Sequence, residues 1–274
     1  MSIIRVMSFN VFLTELQEDE IEHFSDVWAN RAAFNVKTIQ RYKPDLIGFQ
    51  ELDNGHLATY EEHLTGYQHA LVGAHAPNPS NAIFWRADRF RHCEAGTFWL
   101  SRTPDEPSSD WGVPYPLAVT WALLDDTTSG NRLLHANTQF EDGAWGEESR
   151  MGSSELMAQR LPEIAGESPI IVTGDFNCNP WYPAYRTFIN AGFVDSYRAA
   201  GHGDSADSST FHGFHGTNYF ALEWGEELFW RVDWILTRDG ARRVQTTSCT
   251  IARDAEPPLF ASDHWPVITE LLLL

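Results

Sequence analysis

The groups in this chain best suited to chemistry fall in two short stretches: Gly174-Asp175-Phe176-Asn177, directly after the apolar run Ile170-Ile171-Val172, and Ser262-Asp263-His264, directly before Trp265-Pro266-Val267. Each puts acid, amide or imidazole groups where a strand ends, and there a sheet can hold polar groups at the edge of its core without fully desolvating them. That is the inventory of an active site. Asp175 and Asn177 are two apart, so on a strand their side chains point the same way. A turn over Asp175-Phe176-Asn177-Cys178-Asn179-Pro180 fits the same residues.

Three further segments repeat the pattern. In Ser8-Phe9-Asn10 the alternation sets Ser8 and Asn10 on one face, although Asn10 read alone is a turn former more readily than a ligand. Glu51 follows the apolar run Leu46-Ile47-Gly48-Phe49, where a carboxylate is costly unless paired or metal-bound; a solvated strand end is an equal reading. Arg231-Val232-Asp233-Trp234 alternates too, with Arg231 and Asp233 on one face, and its plain reading is a surface ion pair worth little. Asp263-His264 could simply begin an edge strand. The weight lies in the joint presence of these segments, in this order, each at a strand end.

Positioning such groups needs strands. The first runs through Ile3-Ile4-Arg5-Val6-Met7, and a helical stripe of Trp28, Ala32, Val36 and Ile39 follows an acidic segment. Lys43-Pro44-Asp45 stops that helix, because proline disfavours helical geometry in the residue before it. Further strands are expected at 82–85, 119–124, 133–140, 169–173, 231–236 and 266–272, and helices at 148–161 and 182–191. Many strands with few, spread-out helices suggest two packed sheets covered on the outside.

The chain has 274 residues, 43% of them hydrophobic and 13% aromatic, which is ample for a core. With no linker, repeat or low-complexity tract, one domain over residues 1–274 is expected. The first strand leaves no room for a signal peptide and no run approaches the ~18 apolar residues of a membrane span. A soluble, cytoplasmic monomer with no transmembrane segment is expected. Cys93, Cys178 and Cys249 are widely spaced, in no metal-ligand pattern, and read as packing residues. A formal charge of −19 argues against binding long nucleic acid through a basic surface. It leaves room for a small phosphate ester, since a divalent cation reverses the local field.

Taken together, Ser8-Phe9-Asn10-Val11, Gln50-Glu51, Asn137-Thr138, Gly174-Asp175-Phe176-Asn177, Arg231-Val232-Asp233-Trp234 and Ser262-Asp263-His264 resemble the endonuclease/exonuclease/phosphatase superfamily, the deoxyribonuclease I-like fold, from Arg5 to Leu272. Gly96-Thr97-Phe98-Trp99-Leu100-Ser101 with Pro104-Asp105, and Thr210-Phe211-His212-Gly213-Phe214, resemble its bacterial metal-dependent hydrolase branch. The resemblance implies an α+β, four-layer α/β/β/α sandwich of two packed mixed sheets flanked by helices. It implies Mg²⁺ (or Mn²⁺) on Glu51, with Asn10 and Asp263 nearby, since such hard cations favour oxygen ligands and bridge to phosphate. Asp175 would orient or deprotonate the attacking water, Asn177 would donate to a non-bridging oxygen, and His264, held by Asp233, would face the phosphoryl group. Asn137 and Gln139 complete the implied catalytic set.

Two positions depart from the family. Where relatives carry His-Leu or His-Phe after Asn-Thr, this chain has Gln139-Phe140, and an amide cannot deliver a proton to a leaving alkoxide. His135, on the same strand face, or a metal-bound water is the expected substitute. Relatives of the branch also carry Pro-Arg where Pro116-Leu117 stands, and leucine cannot grip phosphate as arginine does. Arg231 or Arg150 could compensate, though a surface role suits Arg150 better. Trp145, Trp181, Trp224 and Trp230 are candidates for stacking on a base or sugar, and His212 and His215 for lining the site mouth. The reading is a metal-dependent phosphoesterase acting by in-line attack of water on a diester or monoester, of a small molecule or of nucleic acid. A binding module that has lost its chemistry and a nuclease for DNA or RNA ends are the alternatives.

Overall fold

The computed structural model describes residues 2–14, 20–72, 80–143, 146–218 and 230–274. In chain order the elements are β1 (Ser2–Asn10), α1 (Trp28–Tyr42), β2 (Leu46–Gln50), α2 (Asn54–His63), β3 (Tyr67–Ala70), β4 (Ala82–Arg86), β5 (Phe90–Trp99), β6 (Ala118–Asp126), β7 (Asn131–Gln139), α3 (Glu147–Ala165) and β8 (Ile170–Asp175). They continue with α4 (Pro183–Asn190), β9 (Val194–Asp195), α5 (Ser196–Ala199), β10 (Asp233–Arg238), β11 (Val244–Ile251), β12 (Ala255–Glu256), β13 (Leu259–Phe260) and β14 (Val267–Leu273). The strands form two six-stranded sheets, ordered β11-β14-β1-β2-β4-β3 and β5-β6-β7-β8-β10-β9, plus the small β12-β13 pair.

Alternation along each strand builds the layers. In β1, Met7 and Phe9 face outward and join Phe34 and Ile39 of α1 and Tyr60 of α2 in one apolar cluster. Ile4 and Val6 of the same strand face inward and meet Leu133, Ile171 and Ile235 of the second sheet. The second sheet's outer residues, among them Leu134, Val172 and Trp234, are covered by Met157 and Leu161 of α3 and Phe188 of α4. The result is the expected helix/sheet/sheet/helix sandwich. Among the described residues no helix is long and apolar enough to cross a membrane.

Each sheet is mixed in the same way. A parallel pair, β1 with β2 and β7 with β8, sits at the centre, with antiparallel neighbours on either side. The inward faces of both pairs turn polar toward one edge of the sandwich: Ser8, Gln50, Asn137 and Thr173 are all buried. They bond to one another, leaving only Gln50 Oε1 of this group without a partner: the Gln50 amide donates to Asn137 Oδ1 (2.6 Å), and the Thr173 hydroxyl donates to the same oxygen (2.9 Å). Gly48 makes room for this, since a Cβ there would lie 1.9 Å from Thr173 Oγ1.

Several expectations are corrected here. Arg231 is no surface residue: its buried guanidinium donates to Asp195 (2.8 Å) and Asp204 (2.6 Å), while Asp233 is engaged elsewhere. Asp233, not Arg231, opens β10. Arg150 is buried as well, donating to the backbone oxygens of Glu141 (2.7 Å) and Gly143 (3.1 Å). Asp263 and His264 precede β14, which lies inside the first sheet and not at its edge. Cys178 and Cys249 are packed as expected, but Cys93 is exposed.

Candidate active site

Where the two parallel pairs end, a cleft of about 630 Å³ opens. Glu51, Gln139, Asp175, Asn177, Asp263 and His264 line it, joined by Asp142, which the sequence did not single out. Glu51 follows β2 directly and adopts a left-handed backbone (φ 56°), uncommon for a residue with a Cβ and characteristic of functional turns. α2 begins three residues later, capped by Asp53, whose side chain accepts from the backbone N–H of Gly55 and His56. The other Asp53 oxygen accepts from the Thr14 N–H (2.6 Å), tying the segment after β1 to the start of that helix.

Two amides bridge the two sheets. The Asn10 NH₂ donates to Glu51 Oε1 (2.8 Å) and Asp175 Oδ2 (3.0 Å), and the Gln139 NH₂ donates to the same two oxygens at 2.8 and 3.4 Å. Asn10 Oδ1 accepts from the Phe12 N–H (3.0 Å), so in this arrangement Asn10 is a donor to the carboxylates and does not offer them its own oxygen. Asp175 Oδ1 accepts from the Asn177 N–H (3.0 Å), and the Asn177 amide donates to Phe140 O (2.9 Å). Asn177 is also left-handed (φ 48°), a conformation asparagine tolerates better than most residues.

Asp233 pairs with Asp175 across β10 and β8, and its Oδ2 holds His264 Nδ1 at 2.8 Å. The second Asp233 oxygen is buried without a partner. Burial raises the Asp175 carboxyl well above the usual carboxylate range, and the neighbouring Asp233 adds to this. Asp263 is raised too, by burial and then by Glu51. Burial alone would lower His264, but the Asp233 and Asp263 carboxylates outweigh it and hold the imidazole well above its ordinary value. Among the described lining residues it is the sole cationic group, against four carboxylates at Glu51, Asp142, Asp175 and Asp263.

Glu51, Asp175 and Asp263 converge on one cleft and two of these acids are pushed toward their neutral forms, a repulsion that a divalent cation would relieve, so the donor set fits one. Asp175, Asp233 and His264, with atoms within 4.8 Å of one another, form an ion-paired group beside it.

Not every expected residue reaches the cleft. Asn137 sits one layer below, with its NH₂ donating to Phe49 O (2.6 Å) and Ala82 O (3.1 Å) and its Oδ1 already taken, so it positions the strand ends without meeting a substrate. His135 is deeper still, fully buried beside Thr173 Oγ1 (3.0 Å), and burial pushes its imidazole down to about 3. It cannot serve as the expected proton donor. Neither Arg231 nor Arg150 lines the cleft. His212 is buried and stacks on Trp265 (3.9 Å), and His215 meets His23 (4.8 Å), so neither is at the mouth. Trp230 lines the cleft and Trp181 does not, while Trp145 and Trp224 lie outside the described residues.

Sequence reasoning missed Arg31. Its fully buried guanidinium donates to Val11 O (2.6 Å), Phe12 O and Leu13 O (2.9 Å) after β1, and Nη1 lies 3.5 Å from Ala261 O ahead of Asp263. Burial lowers it to about 10, with Asp263 the largest opposing influence, so it is charged at neutral pH. A cation beside the apolar stripe of α1 reads as a surface residue, and only the carbonyls it holds reveal its task.

A family model described as Endonuclease/Exonuclease/phosphatase family matches residues 7–264. Among solved structures, the endonuclease/exonuclease/phosphatase from Bacteroides vulgatus is 26% identical over the full length of both chains, with a TM-score of 0.85. The mannosyl-6-phosphatase of Bacteroides thetaiotaomicron is 26% identical over 98% of this chain and 99% of its own (TM-score 0.83). The human nocturnin catalytic domain with bound sulfate shares the fold at 20% identity, over 99% of this chain and 94% of its own (TM-score 0.75). Xenopus laevis nocturnin is 24% identical over 206 residues, 68% of this chain and 51% of the relative. An uncharacterised protein of Acanthamoeba polyphaga mimivirus is 24% identical over 259 residues, 79% of this chain and 37% of the relative. The chain thus spans about a third to a half of the curated relatives it matches.

Proposed function

Because this chain belongs to the endonuclease/exonuclease/phosphatase family, we propose that it is a divalent-metal-dependent phosphoesterase in which water attacks a phosphate ester in line, without a covalent intermediate. The observation that carries the reading is the convergence of Glu51, Asp175, Asp263 and the Asp233–His264 pair on one cleft. Glu51 and Asp263 would hold Mg²⁺ or Mn²⁺, with Asn10 beside them. The ion would supply charge stabilisation at the phosphoryl oxygens.

The chain's own groups do the rest. Asp175, raised toward neutrality, is matched to taking a proton from water near neutral pH. Asn10 and Gln139 fix one of its oxygens and the Asn177 N–H the other, which sets the direction of abstraction. Asp233 holds Nδ1 of a cationic His264, leaving Nε2 to donate to a phosphoryl oxygen as charge builds there. The resemblance implies histidine where Gln139 stands, so the proton for the leaving alkoxide would come from His264 or from solvent.

The test is hydrolysis of bis-p-nitrophenyl phosphate and p-nitrophenyl phosphate with Mg²⁺, Mn²⁺ or EDTA, in the wild type, Glu51→Ala and His264→Ala. Metal-dependent turnover lost in both variants supports the enzyme. Gln139 and the lack of any lysine or arginine among the described lining residues favour a second reading, a binding module. Thermal stabilisation by Mg²⁺ with no turnover of either ester would select it.

A further inference from the structure

The cleft has a second character that its carboxylates do not explain. Beside His264 stands Phe211, with ring centroids 5.0 Å apart, and next to Phe211 stands Trp230 at 6.3 Å. Backbone bonds fix this order: the N–H groups of Thr210 and Phe211 both donate to Trp230 O, and Phe211 forms a β-bridge to His264. Trp230 is 44% exposed, although burying such a ring elsewhere would contribute favourably to the core. Tyr115, also on the lining, is 45% exposed and anchored by its hydroxyl, which donates to Glu141 Oε2 (2.6 Å). An aromatic surface held rigidly at the edge of a polar centre suits a ligand with a flat or ring-shaped apolar face.

Electrostatics limits the rest of the ligand. The described lining residues hold four acids and, in His264, a single basic group, so a bound divalent ion would be the main source of positive charge there. A single phosphoryl group would be accommodated beside that ion, whereas each further phosphate would find no arginine or lysine among the described lining residues to pair with. Strands of nucleic acid need the opposite surface.

Resting on the phosphoesterase reading, we infer that the substrate is a compact ester of one phosphoryl group whose alcohol carries a ring, the ring lying against Trp230 and Phe211 while the phosphoryl group sits at His264. Trp230 is the residue that sets this preference.

The test compares kcat/KM for cyclohexyl phosphate and 3-pentyl phosphate, whose leaving alcohols are of similar basicity, with oligothymidylate as the polyanion. The ring ester should be preferred by about fourfold, what one further methylene held against the aromatic face contributes. That ratio should collapse toward one in Trp230→Ala through KM, and return in Trp230→Phe. A ratio unchanged in Trp230→Ala, or faster cleavage of oligothymidylate than of either small ester, overturns the inference. If no ester is turned over, the phosphoesterase reading fails by itself, and calorimetric titration with cyclohexylphosphonate and 3-pentylphosphonate in Mg²⁺ still decides this one. Tighter binding of the cyclic phosphonate that depends on Trp230 upholds it, and equal binding refutes it.

Discussion

Replacing His135 by glutamine should flatten the acid side of the protein's stability profile. His135 lies between the sheets, and the Thr173 hydroxyl already donates to Asn137. The imidazole must therefore donate from Nε2, which leaves Nδ1 as a buried acceptor with no partner. Protonation would place an unpaired cation, with a new unsatisfied N–H, in the core, and this is why burial lowers the group from its ordinary 6.5 to about 3. The sign follows. Between those values the unfolded chain binds a proton that the folded protein refuses, so the contribution is fully present above about pH 6.5 and shrinks as pH falls toward 3. Each pH unit removes about 1.4 kcal/mol, or about 3 kcal/mol by pH 4.5. Glutamine keeps a donor for Thr173 and cannot titrate, so His135→Gln should cost about 1 kcal/mol at pH 7 and lose about 2–3 kcal/mol less than wild type between pH 7 and 4.5. Urea unfolding at half-unit steps of pH measures this. Parallel curves for the two proteins would refute the reasoning, because they would mean that His135 titrates alike in both states.

Three other perturbations have definite outcomes. Arg231→Met should destabilise by about 3–5 kcal/mol, since it strands Asp195 and Asp204; a loss under about 1 kcal/mol in thermal melts would show that solvent reaches the pair. Gly48→Ala should cost about 1–3 kcal/mol because the new methyl collides with Thr173; Thr173→Ser/Gly48→Ala should fare no better, as Oγ1 is the closest atom, and a recovery would mean that the methyl of Thr173 is the obstacle. Gln139→His should raise hydrolysis of alkyl diesters more than that of activated aryl diesters, because only a poor leaving group needs the proton; equal gains on both would rule out a missing acid at this position.

What the sequence disclosed depended on burial. The interior strands β1, β2, β7, β8 and β14 read as apolar runs because both their faces are covered. The strands it did not disclose are the two-residue pair β12 and β13 and the four at the edges of the large sheets, β3, β5, β9 and β11, where Tyr67-Gln68-His69-Ala70 or Val244-Gln245-Thr246-Thr247 looks like loop. α2 was missed as well, for its faces differ little in polarity, although the Asp53…His56 capping pair was there to be read. For the site, residue types at strand ends named Glu51, Asp175, Asp263 and His264, all of which line the cleft. Partners across the chain could not be read. The pairing of Arg231 with Asp195 and Asp204, the burial of His135 and the grip of Arg31 on carbonyls at both Val11 and Ala261 arise only when distant segments pack.

The strand order also carries a consequence for how the molecule comes into being. β14 lies between β11 and β1, so the N-terminal strand keeps an open edge until residues 267–273 have been made. Every strand of the second sheet, by contrast, lies within residues 90–238. A domain folds as a unit, and here that unit needs β14 in place, so Glu51 and Asp175 are not locked into a closed sandwich before Asp263 and His264 have been made. The segment that delivers the imidazole runs directly into the strand that closes the first sheet, so completion of the site and completion of the fold are one event.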